Sequence, residues 1–197
     1  MGRRVDLDAL REALRVRPLA PSSDYDLNPG TLLPPGRNLR PAAVLIGVLE
    51  DAVILTKRAS HLKHHPGQIA LPGGKIDAGD AGPEAAALRE AREEVGLDPG
   101  NVELLSVLPA HETVTGYTVT PILARVQAEF DAIPEPGEVS EVFRVPLSFL
   151  MEPANYRVED RRWRGTRRRY FVVPYGPFYI WGATARILKS LADRVAP

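Results

Sequence analysis

The pattern of apolar and polar positions divides the chain into a small number of elements. Leu7, Leu10 and Leu14 fall at helical spacing over residues 6–16. Pro18, Pro21 and the Asn28-Pro29-Gly30 cluster end that helix, and Pro34, Pro35 and Pro41 keep the following lead-in extended. Ala42–Leu49 and Ala52–Thr56 are apolar, β-branched runs split by Glu50-Asp51, which predicts a hairpin. Their low polarity predicts a strand buried on both faces. Residues 58–76 are a polar loop with turn signals at Pro66-Gly67 and Pro72-Gly73-Gly74. A helix then runs from Pro83, where a missing N–H costs nothing, to about Val95, with Gly96 as its stop.

Val102–Leu108 and Tyr117–Val126 are further strands. Residues 127–145 are a Pro/Glu-rich connection ending in a strand-like Val142–Val145, and Pro146–Met151 resembles a short helix. Tyr156–Trp163 and Arg168–Val173 pair as a hairpin around Gly165-Thr166, and Ile180–Val195 closes the chain as an amphipathic helix. Strands interleaved with two long helices predict an α/β fold in which a mixed sheet is sandwiched between helices.

Composition narrows the class. A chain of 197 residues with 44% hydrophobic content is expected to be one domain, 1–197, with residues 1–40 as helix and lead-in. Lys plus Arg and Asp plus Glu both number 25, so no global field attracts nucleic acid or membrane. The absence of cysteine excludes disulfides, zinc-thiolate sites and a thiol nucleophile. No apolar run approaches the roughly 20 residues that span a bilayer. The N-terminus lacks the apolar core of a signal peptide, carries Asp6, Asp8 and Glu12, and the chain ends Arg-Val-Ala-Pro. These features predict a soluble, cytoplasmic protein.

The chemistry concentrates in Arg89-Glu90-Ala91-Arg92-Glu93-Glu94-Val95-Gly96-Leu97. Glu90, Glu93 and Glu94 lie at i, i+3 and i+4, which predicts three carboxylates on one helix face. Such like charges repel unless cations join them, and hard divalent ions bind carboxylate and phosphate oxygens. Arg89, four residues before Glu93, is placed to orient a carboxylate. Upstream, the glycines of Leu71-Pro72-Gly73-Gly74-Lys75 let backbone approach metal or phosphate closely. The plainer reading of the same helix is a solvated acidic face, against which the Gly-Gly loop and the Val95-Gly96-Leu97 terminus weigh.

This segment resembles the Nudix box: Gly, five residues, Glu, seven residues, then Arg-Glu-apolar-x-Glu-Glu-x-Gly-apolar. Here Gly74 leads after five residues to Asp80 rather than Glu, eight residues separate Asp80 from Arg89, and Ala91 stands for a larger apolar residue. The second half of the box is complete. The resemblance implies a Nudix α/β/α sandwich and a metal-dependent pyrophosphohydrolase using Mg²⁺ or Mn²⁺. It further implies Glu90, Glu93 and Glu94 as catalytic metal-binding residues, with the Gly74 backbone as a further ligand.

The flanks, from Leu55-Thr56-Lys57-Arg58 through His64-His65-Pro66-Gly67-Gln68 to Gly74, are similar to the extended motif of Nudix coenzyme A pyrophosphatases, where the Asp at position 80 and its longer spacing also occur. Gly116-Tyr117-x-Val119-x-Pro121, the run Glu138–Phe143 with Pro146-Leu147, and Trp181–Ala185 extend the resemblance over roughly 38–190. Coenzyme A or a derivative would then yield 3′,5′-ADP and 4′-phosphopantetheine or its acyl form. Arg58, Lys75, Gly73 and Gly74 become substrate-binding candidates. Glu138 or Glu141 would supply the extra acidic group that many Nudix enzymes draw from such a loop, a reading favoured slightly over ordinary loop charge, without the sequence saying which of the two acts. Another nucleoside diphosphate derivative, such as an ADP-sugar or a nucleoside triphosphate, is the alternative substrate. A non-catalytic Nudix-like ligand sensor is the alternative of another class, against which the whole Glu triad and the short chain stand.

Other residues carry competing readings. Of His61, His64, His65 and His111, the pair His64 and His65 reads better as loop structure than as a phosphate contact, and none is expected to bind the metal, since magnesium prefers oxygen. Arg58 reads equally as a phosphate grip or as a partner of the Glu cluster. The basic run Arg161-Arg162-x-Arg164-x-x-Arg167-Arg168-Arg169, with Trp163 and Tyr170, imitates a nucleic-acid patch but reads better as a solvated hairpin tip. A role for it toward the 3′-phosphate of coenzyme A remains the functional option. No nucleic-acid or membrane partner is expected, and the oligomeric state, a homodimer included, is left open.

Overall fold

The computed structural model describes residues 5–33, 35–163 and 165–195. Arg164 of the basic run and the chain ends read above lie outside the described residues. The elements in order are α1 (Leu7–Val16), β1 (Ser22–Ser23), β2 (Arg40–Leu49), β3 (Ala52–Arg58), β4 (Ile69–Ala70), β5 (Gly73–Lys75), α2 (Pro83–Val95), β6 (Val102–Val107), β7 (His111–Glu112), β8 (Tyr117–Val126), β9 (Val139–Pro146), α3 (Leu147–Leu150), β10 (Arg157–Trp163), β11 (Thr166–Val172) and α4 (Gly182–Val195).

β2 and β8 form the parallel centre of a nine-stranded mixed sheet, in register from Arg40↔Tyr117 to Leu49↔Val126. β3 pairs antiparallel with β2 through Val48↔Val53, and β9 extends that edge on β3. β6 and β7 flank β8 on the other side. The continuous apolar run of β2 follows from its position. Ala42, Ile46 and Val48 join a core cluster with Leu7, Leu10 and Leu14 of α1 and Leu188, Leu191 and Ala192 of α4. Ala43, Leu45 and Leu49 join a second cluster with Ala86, Ala87, Ala91 and Val95 of α2. Helices thus cover both faces of the sheet, and each fully buried Leu or Ile contributes about 1.5–3 kcal/mol. The small Ala91 is fully buried against the sheet, so the departure from a larger apolar residue reflects close helix-to-strand approach. Among the described residues, no helix is long and apolar enough to cross a membrane.

The boundaries differ from the sequence reading in three places. The 58–76 loop contains β4 and β5, because the open edges of β3 and β2 supply partners at Thr56↔Ala70 and Ala43↔Gly74. β9 begins at Val139 rather than Val142, since its ladder with β3 continues through an irregularity between Lys57 and Arg58. Residues 22–23 and 111–112 pair as short strands, bonds too few for any periodicity to announce.

Helix α2 is fixed at both ends. Pro83 opens it, and Gly96 closes it at φ 73°, with Gly96 N–H donating to Arg92 O at 3.0 Å. The chain then returns along the same end. Ile133 N–H donates to Val95 O and Glu135 N–H to Glu94 O, each at 3.0 Å. These bonds satisfy terminal carbonyls that the helix itself leaves open.

Candidate active site

The site forms where α2 faces the turn between β4 and β5. Gly73 lies so close to β2 that a Cβ there would stand 2.6 Å from Val44 Cα, and its φ is 155°. Only glycine fits such a position. Gly74 lies against Glu90, where a Cβ would fall 2.5 Å from Glu90 Cδ. This glycine pair brings bare backbone to two carboxylates of α2.

The three glutamates do not share one environment. Glu94 is buried at 5% exposure, and its Oε2 accepts the Gly73 N–H at 3.1 Å. Burial pushes its carboxyl up to about 8, the Gly73 bond opposes this, and the neighbouring Glu90 and Glu138 raise it further, partly offset by Arg58. Glu90 has 16% side-chain exposure and accepts from Arg89 Nη1 at 2.9 Å. Burial raises its pKa as well, against the pull of Arg89. Glu93 is different: its side chain is 59% exposed and pairs with Arg89 Nη1 at 3.1 Å. It lies on the outer flank of α2, beside a hollow of about 630 Å³ lined by Ala85, Leu88, Arg92 and Pro99. The expected single face of three carboxylates is therefore an inward pair, Glu90 and Glu94, with Glu93 turned toward solvent.

Arg89 is the tie between helix and loop. Its Nε and Nη2 grip Asp80 bidentately at 3.0 Å each, Nη2 also donates to Lys75 O at 3.0 Å, and Nη1 reaches Glu90 and Glu93. The guanidinium holds Asp80 below the usual carboxylate range, helped by the Asp77 N–H. Asp80 thus anchors the loop through Arg89, a partnership across nine residues that no periodicity revealed. Lys75 contributes this backbone carbonyl, and its side chain belongs to an exposed strand end.

Both later acids are exposed. The backbone before Glu138 is bonded to the end of α2, through Glu135 N–H on Glu94 O and Glu138 N–H on Glu135 O, and the charge of Glu138 is felt by Glu90 and Glu94, while Glu141 lies opposite Lys57 in β3. Arg58, at the end of β3, faces Glu94 and makes it easier to ionise. His65, at φ 54°, is an exposed loop residue near Arg58, His64 and Asp24, and partial desolvation lowers its pKa first, then Arg58. The Asp24 neighbour comes from the lead-in and was not legible in the sequence. His111 takes no part. It is fully buried and bonds Ser22 Oγ at 2.9 Å and Asp24 Oδ1 at 3.1 Å, pinning the lead-in to β7. In the basic hairpin, Arg167 pairs with Asp160 and Arg168 lies over the Tyr25 ring.

The donor set at the centre suits a hard divalent cation: carboxylate oxygens that are costly to ionise together, beside bare backbone. Among the described residues, no three His, Asp or Glu side chains converge tightly enough to hold an ion by themselves. Glu90 and Glu94 would hold it together with other oxygens, as magnesium usually does with water and phosphate.

Comparison with known proteins agrees with this geometry. The NUDIX domain model matches residues 38–164. The uncharacterised Nudix hydrolase NudL of Enterobacter sp. (strain 638) is 42% identical over 161 residues, covering 80% of this chain and 84% of that protein. NudL of Salmonella paratyphi B has the same identity and coverage. The NUDIX domain of Shewanella oneidensis NrtR, solved with ADP ribose, superposes with a TM-score of 0.51 over 88% of this chain and 97% of that one, at 15% identity, which speaks for the fold.

Proposed function

The chain belongs to the Nudix family and is a pyrophosphohydrolase of it, and from that membership we propose that it hydrolyses the pyrophosphate of coenzyme A or a derivative, giving 3′,5′-ADP and 4′-phosphopantetheine or its acyl form. The observation that carries the reading is the Glu90–Glu94 pair packed against Gly74 and Gly73, with Arg58 and Glu138 within electrostatic reach of it. The arm that delivers Arg58 and the turn is the same Leu55–Gly74 stretch that resembles the coenzyme A pyrophosphatases.

Glu90 and Glu94 would hold the divalent ion, Mg²⁺ or Mn²⁺, with the Gly74 backbone beside them. Bound there, such an ion neutralises phosphate charge and makes water a better nucleophile. Arg58 would grip a phosphate oxygen, for which a guanidinium is shaped. Gly73 and Gly74 let β2 and Glu90 close onto their backbone, which fixes the carboxylate pair toward which the diphosphate and its ion would come. Glu138, rather than Glu141, would take the proton of the attacking water, since its backbone is tied to the end of α2 while Glu141 lies in the ladder opposite Lys57. Glu93, outside that pair, supports Arg89. The buried Glu94 beside Glu90 favours a polyanion that arrives with its counter-ion.

The test is product analysis. Coenzyme A, acetyl-coenzyme A, dephospho-coenzyme A, ADP-ribose and a nucleoside triphosphate are incubated with Mg²⁺ and with Mn²⁺. Coenzyme A or its acyl form should show the highest kcat/KM, with 3′,5′-ADP released. Preference for ADP-ribose or the triphosphate would overturn the substrate assignment and leave the family intact.

A further inference from the structure

β9 carries one residue too many for its partner. Lys57 pairs with Glu141, yet Arg58 pairs with Val139, so Ser140 is the extra residue of a β-bulge. The bulge shifts everything before it by one position. Ala59 N–H donates to Glu138 O at 2.8 Å, where an unbroken ladder would bring Val139. The extra residue is left out of the ladder, and the Ser140 side chain turns back onto the facing strand. Its hydroxyl stands 3.1 Å from Lys57 O and 3.4 Å from Arg58 O.

The segment leading in is tied as firmly. Ile133 and Glu135 donate to the last carbonyls of α2, and Val139 N–H donates to Glu135 O at 2.8 Å. Glu138 therefore hangs between two fixed points, the end of the helix that carries Glu94 and the Ser140 bulge. The same bulge also holds Arg58, whose N–H donates to Gln68 O and whose carbonyl accepts from Gly67. Side-chain hydroxyls of exposed serines more often face water, so a hydroxyl folded onto two carbonyls of the neighbouring strand marks a fixed geometry.

We propose that Ser140 is a positioning residue: its hydroxyl locks the β9 bulge and thereby fixes Glu138 beside the end of the helix that carries Glu90 and Glu94. The inference rests on the reading of Glu138 given above. Losing the lock lets the bulge relax and Glu138 swing away from the pair, while substrate contacts made through the Gly73-Gly74 turn persist. The effect falls on kcat more than on KM.

The experiment is a double-mutant cycle of Ser140→Ala and Glu138→Gln, with Ser140→Thr as rescue, on the best substrate of the panel. Ser140→Ala should lower kcat roughly tenfold or more, a typical result of displacing a catalytic group by about an ångström. Its Tm should stay near wild type, because the position is exposed. Ser140→Thr keeps the hydroxyl on a strand-compatible side chain and should restore most of the loss. In the Glu138→Gln background, Ser140→Ala should have almost no further effect. The same non-additivity should appear in the Mn²⁺-induced rise in Tm, which needs no turnover, because a nearby carboxylate attracts the ion. A loss from Ser140→Ala that is undiminished in the Glu138→Gln background, that tracks a fall in Tm, or that Thr fails to rescue overturns the role of Ser140 while leaving Glu138 in place. Wild-type turnover of Glu138→Gln overturns both.

Discussion

Replacing Glu94 by Gln should abolish most activity and yet stabilise the metal-free protein at pH 8. The side chain is 5% exposed, accepts one N–H from Gly73, and lies near Glu90 and Glu138 with only Arg58 in opposition. Its carboxyl is pushed from the ordinary 4.5 up to about 8. At about 1.4 kcal/mol per pKa unit, ionising it in the folded protein costs at most roughly 5 kcal/mol. The sign follows from the folded value lying above the unfolded one. The penalty is absent below pH 4.5, grows as pH rises, and is complete above pH 8. Gln keeps an oxygen for Gly73 but loses the charge assistance, worth about 1–2 kcal/mol. The net gain is at most about 3–4 kcal/mol at pH 8, or roughly 6–16 °C in Tm for a chain of this size, and close to nothing at pH 5. Thermal melts of both proteins in a chelator across pH 5–8 measure this, with kcat in saturating Mg²⁺ beside them. A variant no more stable than wild type at pH 8, or one that retains near-wild-type turnover, refutes the account of Glu94 as a strained buried carboxylate that a cation relieves.

Three further outcomes follow from the same geometry. Millimolar Mg²⁺ or Mn²⁺ should raise the Tm of the wild-type protein by mass action, more at pH 8 than at pH 5, where protons compete for Glu90 and Glu94; a flat titration at both pH values counts against a cation site there. Gly73→Ala should leave little folded or active protein, because the added Cβ meets the β2 backbone and φ 155° is foreign to alanine; circular dichroism and melts identical to wild type would show that the turn is not pinned as described. Replacing Arg167, Arg168 and Arg169 by Ala should change kcat/KM for coenzyme A and dephospho-coenzyme A alike, since Arg167 is held by Asp160 and Arg168 lies on Tyr25. A charge-assisted bond to the 3′-phosphate would instead separate the two substrates by about tenfold or more, and that result would restore the hairpin as a specificity element.

The sequence by itself determined the elements and their kind. Proline at 83 and glycine at 96 bounded α2, the double-sided apolar run announced a central strand, and the Arg89–Leu97 pattern identified the chemistry, because each of these signals is local. Side-chain roles within that pattern were decided by tertiary structure. A helix turns about 100° per residue, so Glu94 lies 40° to one side of Glu90 and Glu93 60° to the other. Spacing calls that one face, but the Gly73 turn covers only the Glu94 side, and Arg89 draws Glu93 outward. Sequence likewise left Glu138 and Glu141 equal. Glu138 differs because the chain before β9 is bonded to the end of α2, through Glu135 N–H on Glu94 O and Glu138 N–H on Glu135 O, a contact that exists only in the folded chain. Asp80, a departure from the box when read along the chain, became the partner of Arg89 once the loop folded back over nine residues. Contacts of this kind depend on which surfaces the packed sheet brings together, and that information lies in no single stretch of the chain.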